Sequence, residues 1–77
     1  MVEAYVLIQT EVGKSKQVLE EVRLIKGVTQ ADDVTGPYDI VVRVGAENVD
    51  RLGGLVVTEL QSIDGITRTL TCPVINL

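Results

Sequence analysis

"IKGVTQA" at residues 25–31 and "IDGITRT" at residues 63–69 are two copies of one short phrase, set about half the chain apart. Each copy ends a helical pattern, turns at a glycine and enters a run suited to a strand. Gly27 and Gly65 are expected to be left-handed residues that close a helix and start the next strand. That role accounts for both glycines without a phosphate to bind.

The pattern extends outward from each copy. Before the first, Val18, Val22 and Ile25 recur at gaps of four and three with Leu19 beside them, while Lys16, Glu20, Glu21 and Arg23 fill the other side, predicting a helix over residues 14–25. Before the second, Val49, Leu52, Val56, Leu60 and Ile63 predict a helix over residues 48–63. Gly53 and Gly54 interrupt that second helix at a cost of about 1 kcal/mol each relative to alanine, which points to close approach of another backbone there or to tolerance by a well-packed helix. Residues 2–10, 28–35, 40–45 and 66–74 are rich in Val, Ile and Thr and read as strands. The order β-α-β-β-α-β is that of an α+β ferredoxin-like plait, a four-stranded antiparallel sheet with two helices on one face.

The second face of that sheet poses a problem. In the first strand Val6 and Ile8 point one way and Tyr5 and Leu7 the other; in the third, Ile40, Val42 and Val44 oppose Val41. A half-exposed sheet alternates apolar with polar more cleanly. The expectation is a homo-oligomer, dimerising through the open sheet face. Length agrees, because 77 residues form one domain, residues 1–77, that alone buries only roughly 60% of the surface its unfolded chain exposes.

Composition excludes several function classes. The net charge of −4 and the scattering of the seven basic residues disfavour direct nucleic-acid binding and an anionic membrane surface. No apolar run approaches the ~20 residues of a membrane-spanning helix, and the N-terminus carries no basic signal region. Cys72 is the single cysteine, so no disulfide closes within the chain and a cytoplasmic setting fits.

Catalytic signatures are largely missing. Without histidine there is no imidazole base or His-based triad, and Cys72 lacks an activating motif. No Walker loop, dinucleotide fingerprint or paired-cysteine motif is present, so no cofactor is expected. Asp32 and Asp33 are neighbours on a strand and point to opposite faces, which makes a poor start for a metal site. The Gly36-Pro37-Tyr38-Asp39 stretch suits a β-turn through its glycine and proline. The turn itself requires neither Tyr38 nor Asp39. A carboxylate at a sheet edge accepts from an ammonium group, and free turn N–H groups donate to a carboxylate, which are the two ends of an amino acid.

"VTGPYDIVVRV" at residues 34–44, "IDGITRT" and "TLTCPVI" at residues 69–75 together resemble the effector-binding module of the Lrp/AsnC regulators, over essentially the whole chain. The resemblance implies a non-catalytic module in which Gly36, Tyr38 and Asp39 lie at a cleft between dimers and bind an amino acid, with the Thr69 and Thr71 hydroxyls as further contacts. β-Propensity accounts equally well for each threonine taken singly. The resemblance also implies sheet-to-sheet dimers assembled into rings, commonly octamers. Full-length regulators of the family carry a helix-turn-helix domain before the module; this chain starts at the module's first strand and resembles the stand-alone form, acting through mixed assemblies with a full-length regulator or on another protein. Two other readings stay open on the residues alone. One is a small plait enzyme such as a cofactor-free oxygenase, with Asp39, Tyr38, Tyr5 and Glu59 as its candidate groups. The other is a purely structural oligomerisation module.

Overall fold

Both copies of the repeated phrase turn the chain in the same way in the computed structural model, which describes residues 1–75. In the first, Ile25 donates to the carbonyl of Val22 at 3.1 Å and Val28 to that of Ile25 at 3.2 Å; in the second, Ile63 donates to Leu60 at 3.2 Å and Ile66 to Ile63 at 3.4 Å. Gly27 and Gly65 follow with φ of +103° and +99°, a region that favours glycine. A Cβ on Gly27 would stand 2.9 Å from a Leu55 methyl and 3.1 Å from the carbonyl oxygen of Gly45, and one on Gly65 would stand 3.1 Å from atoms of Lys14 and Val18. Each glycine carbonyl then accepts a 2.8 Å bond from the end of a central strand, Gly27 from the N–H of Gly45 and Gly65 from that of Glu11.

The elements follow the expected order: β1 (Val2–Thr10), α1 (Ser15–Arg23), β2 (Val28–Asp33), β3 (Ile40–Ala46), α2 (Val49–Gly54) and β4 (Ile66–Pro73). The sheet is antiparallel in the order β2-β3-β1-β4. Alternation sets its two faces. Ala4, Val6 and Ile8 of β1 and Ile40, Val42 and Val44 of β3 are fully buried, and they meet Val18, Leu19 and Val22 of α1 and Leu52, Val56 and Leu60 from the second helical region. The helices therefore share one face of the sheet, as the plait requires. Ile25 lies beyond α1 in the turn and still packs against the core.

The second helix departs from expectation. α2 ends at Gly54 and the chain continues as a π-helix over Leu55–Leu60, closed by a bond from the Gln61 N–H to the carbonyl of Val56, five residues back. The gap of four between Leu52, Val56 and Leu60 suits the wider turn as well as the α-helix, so all three stay buried. Gly53 and Gly54 decide between the two readings: both are exposed, and outside their own helical segment no described residue lies within 4 Å of a Cβ built on either. Among the described residues no other backbone approaches them, which leaves tolerance within the helix.

Candidate functional site

The turn after β2 is tied to the end of β1. The Val34 N–H donates to the carbonyl of Asp39 at 2.9 Å and the Asp39 N–H to that of Ile8 at 2.9 Å, while the Gln9 amide donates to the carbonyl of Pro37 at 2.9 Å. Gly36 stands exposed at φ +141°; Tyr38 and Asp39 are half-buried. The β1 ladder shifts register between Gln9 and Thr10. There Asp39 Oδ2 accepts from the Thr10 N–H at 2.8 Å and from the Thr10 hydroxyl at 3.3 Å. This gives Asp39 a task inside the chain that its position in the turn did not reveal, because a backbone N–H beyond the last pair of β1 with β3 needs an acceptor.

Thr69 and Thr71 occupy a different place. They pair with Ile8 and Val6 across β1, so their side chains lie on the helix-bearing side of the sheet, on edge strand β4. Two grooves run there. One, of about 360 Å³, is lined by Gln61, Ile66, Thr67, Arg68 and Thr69; the other, of about 290 Å³, includes Leu52, Val56, Val57, Gln61 and Thr71. Gln61 belongs to both, and its amide donates to the Thr69 hydroxyl at 2.9 Å. Gln61 was not singled out from sequence, where a glutamine among polar residues carries no signal.

Neither groove contains Tyr38 or Asp39. Ile40, next to the turn, and Thr69 flank Ile8 on opposite sides, two strand spacings or roughly 10 Å apart. One chain therefore separates the turn from the threonines. The residues of the enzyme reading are dispersed as well: Tyr5 lies in the middle of β1 under Arg43, and Glu59 faces a cleft of about 470 Å³ with Lys26, Arg51 and Leu55. Among the described residues no cluster of three or more His, Cys, Asp or Glu side chains is suited to a metal, and no helix is long and apolar enough to cross a membrane.

The two halves of the repeat also treat their edge strands alike up to a point. Arg23 and Gln61 occupy equivalent places in the repeat, and each reaches eight residues ahead. Arg23 donates twice to the carbonyl of Ala31 in β2, at 3.2 and 2.8 Å, and Gln61 donates to the side chain of Thr69 in β4.

The Lrp/AsnC ligand binding domain family matches residues 3–77. An uncharacterised HTH-type transcriptional regulator of Pyrococcus furiosus is 34% identical over 71 residues, which span 88% of this chain and 47% of the regulator. The chain thus spans about half the length of the regulators it matches. A Thermus thermophilus protein superposes with a TM-score of 0.94 at 30% identity, covering 100% of this chain and 96% of that one. At 16% identity the fold alone is shared with a Neisseria meningitidis transcriptional regulator, solved as an L-Met complex, with a TM-score of 0.86 over 97% of this chain and 50% of that one.

Proposed function

The chain belongs to the Lrp/AsnC ligand binding domain family, and from that premise we propose that it is a non-catalytic amino-acid sensor whose site is completed between subunits. The observation that carries this reading is the separation of the GPYD turn from the Thr69 and Thr71 grooves within one chain. A zwitterion leaving water needs both charges paired. The turn of one subunit, with Gly36, Tyr38 and Asp39, brings a carboxylate and backbone donors; the grooves of another, with Gln61, Thr69 and Thr71, bring hydroxyl and amide groups. A ligand that spans two subunits stabilises the assembly presenting both, which couples occupancy to association. The capacity of the fold for such a ligand is supported by the L-Met complex of the Neisseria regulator.

Sheet-to-sheet dimers and rings of dimers, such as octamers, are the assemblies this reading calls for. Its output is regulatory: ligand-linked assembly modulates transcriptional regulation or amino-acid metabolism.

The bond from Thr10 to Asp39 favours one competing reading, a structural oligomerisation module in which the turn is only a turn. Thermal unfolding against each of the twenty amino acids separates the two. A ligand at a hundred times its dissociation constant adds about 2.7 kcal/mol, which raises the midpoint by several degrees. A selective rise supports the sensor; a flat response to all twenty supports the structural module.

A further inference from the structure

The open face of the sheet carries a charged cluster that the amino-acid site does not use. β1 and β3 set Tyr5 opposite Arg43, with Glu3 two residues earlier on the same side. The Arg43 guanidinium donates to the Tyr5 hydroxyl and to the Glu3 carboxylate, and its carbon lies 4.9 Å from the centre of the Tyr5 ring. The hydrogen bond that Arg43 donates to Glu3 raises the Arg43 pKa above its ordinary value. Leu7, Val41, Leu70 and Cys72 share this face by strand pairing, and Tyr5 and Leu70 are 40% and 44% exposed.

The charges of the face are balanced. Arg43 and Arg68 lie on it with Glu3 and Asp32, whereas the whole chain carries −4. The excess negative charge therefore sits on the helices, turns and other faces. Two copies of an acidic chain repel one another over most of their surface and least through this sheet. A basic partner finds no net charge here to attract it. A face of no net charge, whose central ion pair of Glu3 and Arg43 is already made, is complementary to another of the same kind.

We propose that the cluster of Glu3, Arg43 and Tyr5 selects the partner of the open face, restricting it to a second copy of this chain. The proposal rests on sheet-face assembly in the reading above and deepens it by naming what the face accepts. Closing two sheets strips water from the guanidinium, a cost that is offset when Glu3 and Tyr5 are already bonded to it. A related sheet that brings an unpaired charge to the same place is rejected by that charge.

The test is the dissociation constant of the assembly, measured by sedimentation on the full chain and its variants, with circular dichroism to confirm folding. Glu3→Gln leaves the guanidinium without its counter-charge and is expected to weaken association by about tenfold or more. Adding Arg43→Met removes the remaining charge and is expected to restore association, while the double variant mixes with the wild-type chain less readily than wild type pairs with itself. The reversed pair, Glu3→Arg with Arg43→Glu, is expected to self-associate and serves if Glu3→Gln does not fold. An unchanged dissociation constant for Glu3→Gln, a double variant as weak as the single one, or a monomeric reversed pair overturns the proposal. A wild-type chain that sediments as a monomer overturns both this proposal and sheet-face assembly, whereas the amino-acid reading stands or falls on the melting series.

Discussion

Arg23, the last residue of α1, and Gln61, the first beyond the π-helix, are equivalent in the repeat, and the edge strands they reach are left in different states. Arg23 places its guanidinium on the Ala31 carbonyl and occupies a main-chain acceptor of β2. Edge strands are templates for unwanted pairing, and a charged side chain held against one is a common defence. Gln61 bonds a hydroxyl instead, and most of β4 remains exposed. One half guards its edge; the other presents polar side chains beside two grooves. The wider π-helical turn occurs in that second half, consistent with the frequent use of such turns at functional sites.

The largest expected effect tests what the halves share. Gly27→Ala places a Cβ into Leu55 and the Gly45 carbonyl at positive φ, and is expected to cost about 3 kcal/mol in chemical denaturation. Gly65→Ala is expected to cost about 2 kcal/mol, since its contacts are somewhat looser. A tolerated alanine at either position breaks the equivalence of the two turns.

A matched pair tests where the halves differ. Arg23→Met is expected to cost about 1 kcal/mol and to increase concentration-dependent association through β2, measured by light scattering. Gln61→Met removes an exposed bond and is expected to cost only a few tenths of a kcal/mol, while altering which amino acids raise the melting midpoint. Equal behaviour of the two variants would remove the distinction between the edges.

The smallest effect sharpens the second half alone. Gly54→Ala enters open space at φ −61° and is expected to stabilise the chain by about 0.5–1 kcal/mol. A loss of association without a loss of folding would place another subunit's backbone against this glycine.

The repeated phrase made the plait legible because it marks the same helix exit twice, and the apolar spacing marked all three buried positions of each helix. The π-helix was hidden by that same spacing, since Leu52, Val56 and Leu60 suit both windings. Strand alternation predicted an unusually apolar open face, but the bonds from Arg43 to Glu3 and Tyr5 join residues about forty positions apart and depend on the register of β1 with β3. The role of Asp39 escaped for a related reason: its partner, Thr10, lies two residues beyond the last pair of β1 with β3, which only the register of those strands reveals. Turn chemistry near Asp39 was readable; the distant backbone N–H was not.

The position of β1 at the centre of the sheet, between β3 and β4, also sets the order in which the protein can be made. The first strand to leave the ribosome needs the last one to complete its pairing. Until residue 73 has emerged, one side of β1 has no partner from its own chain, and nearby nascent copies compete for it. Long-range pairing of this kind slows folding and prolongs that exposure, so the final strand governs when the growing chain becomes safe from its neighbours.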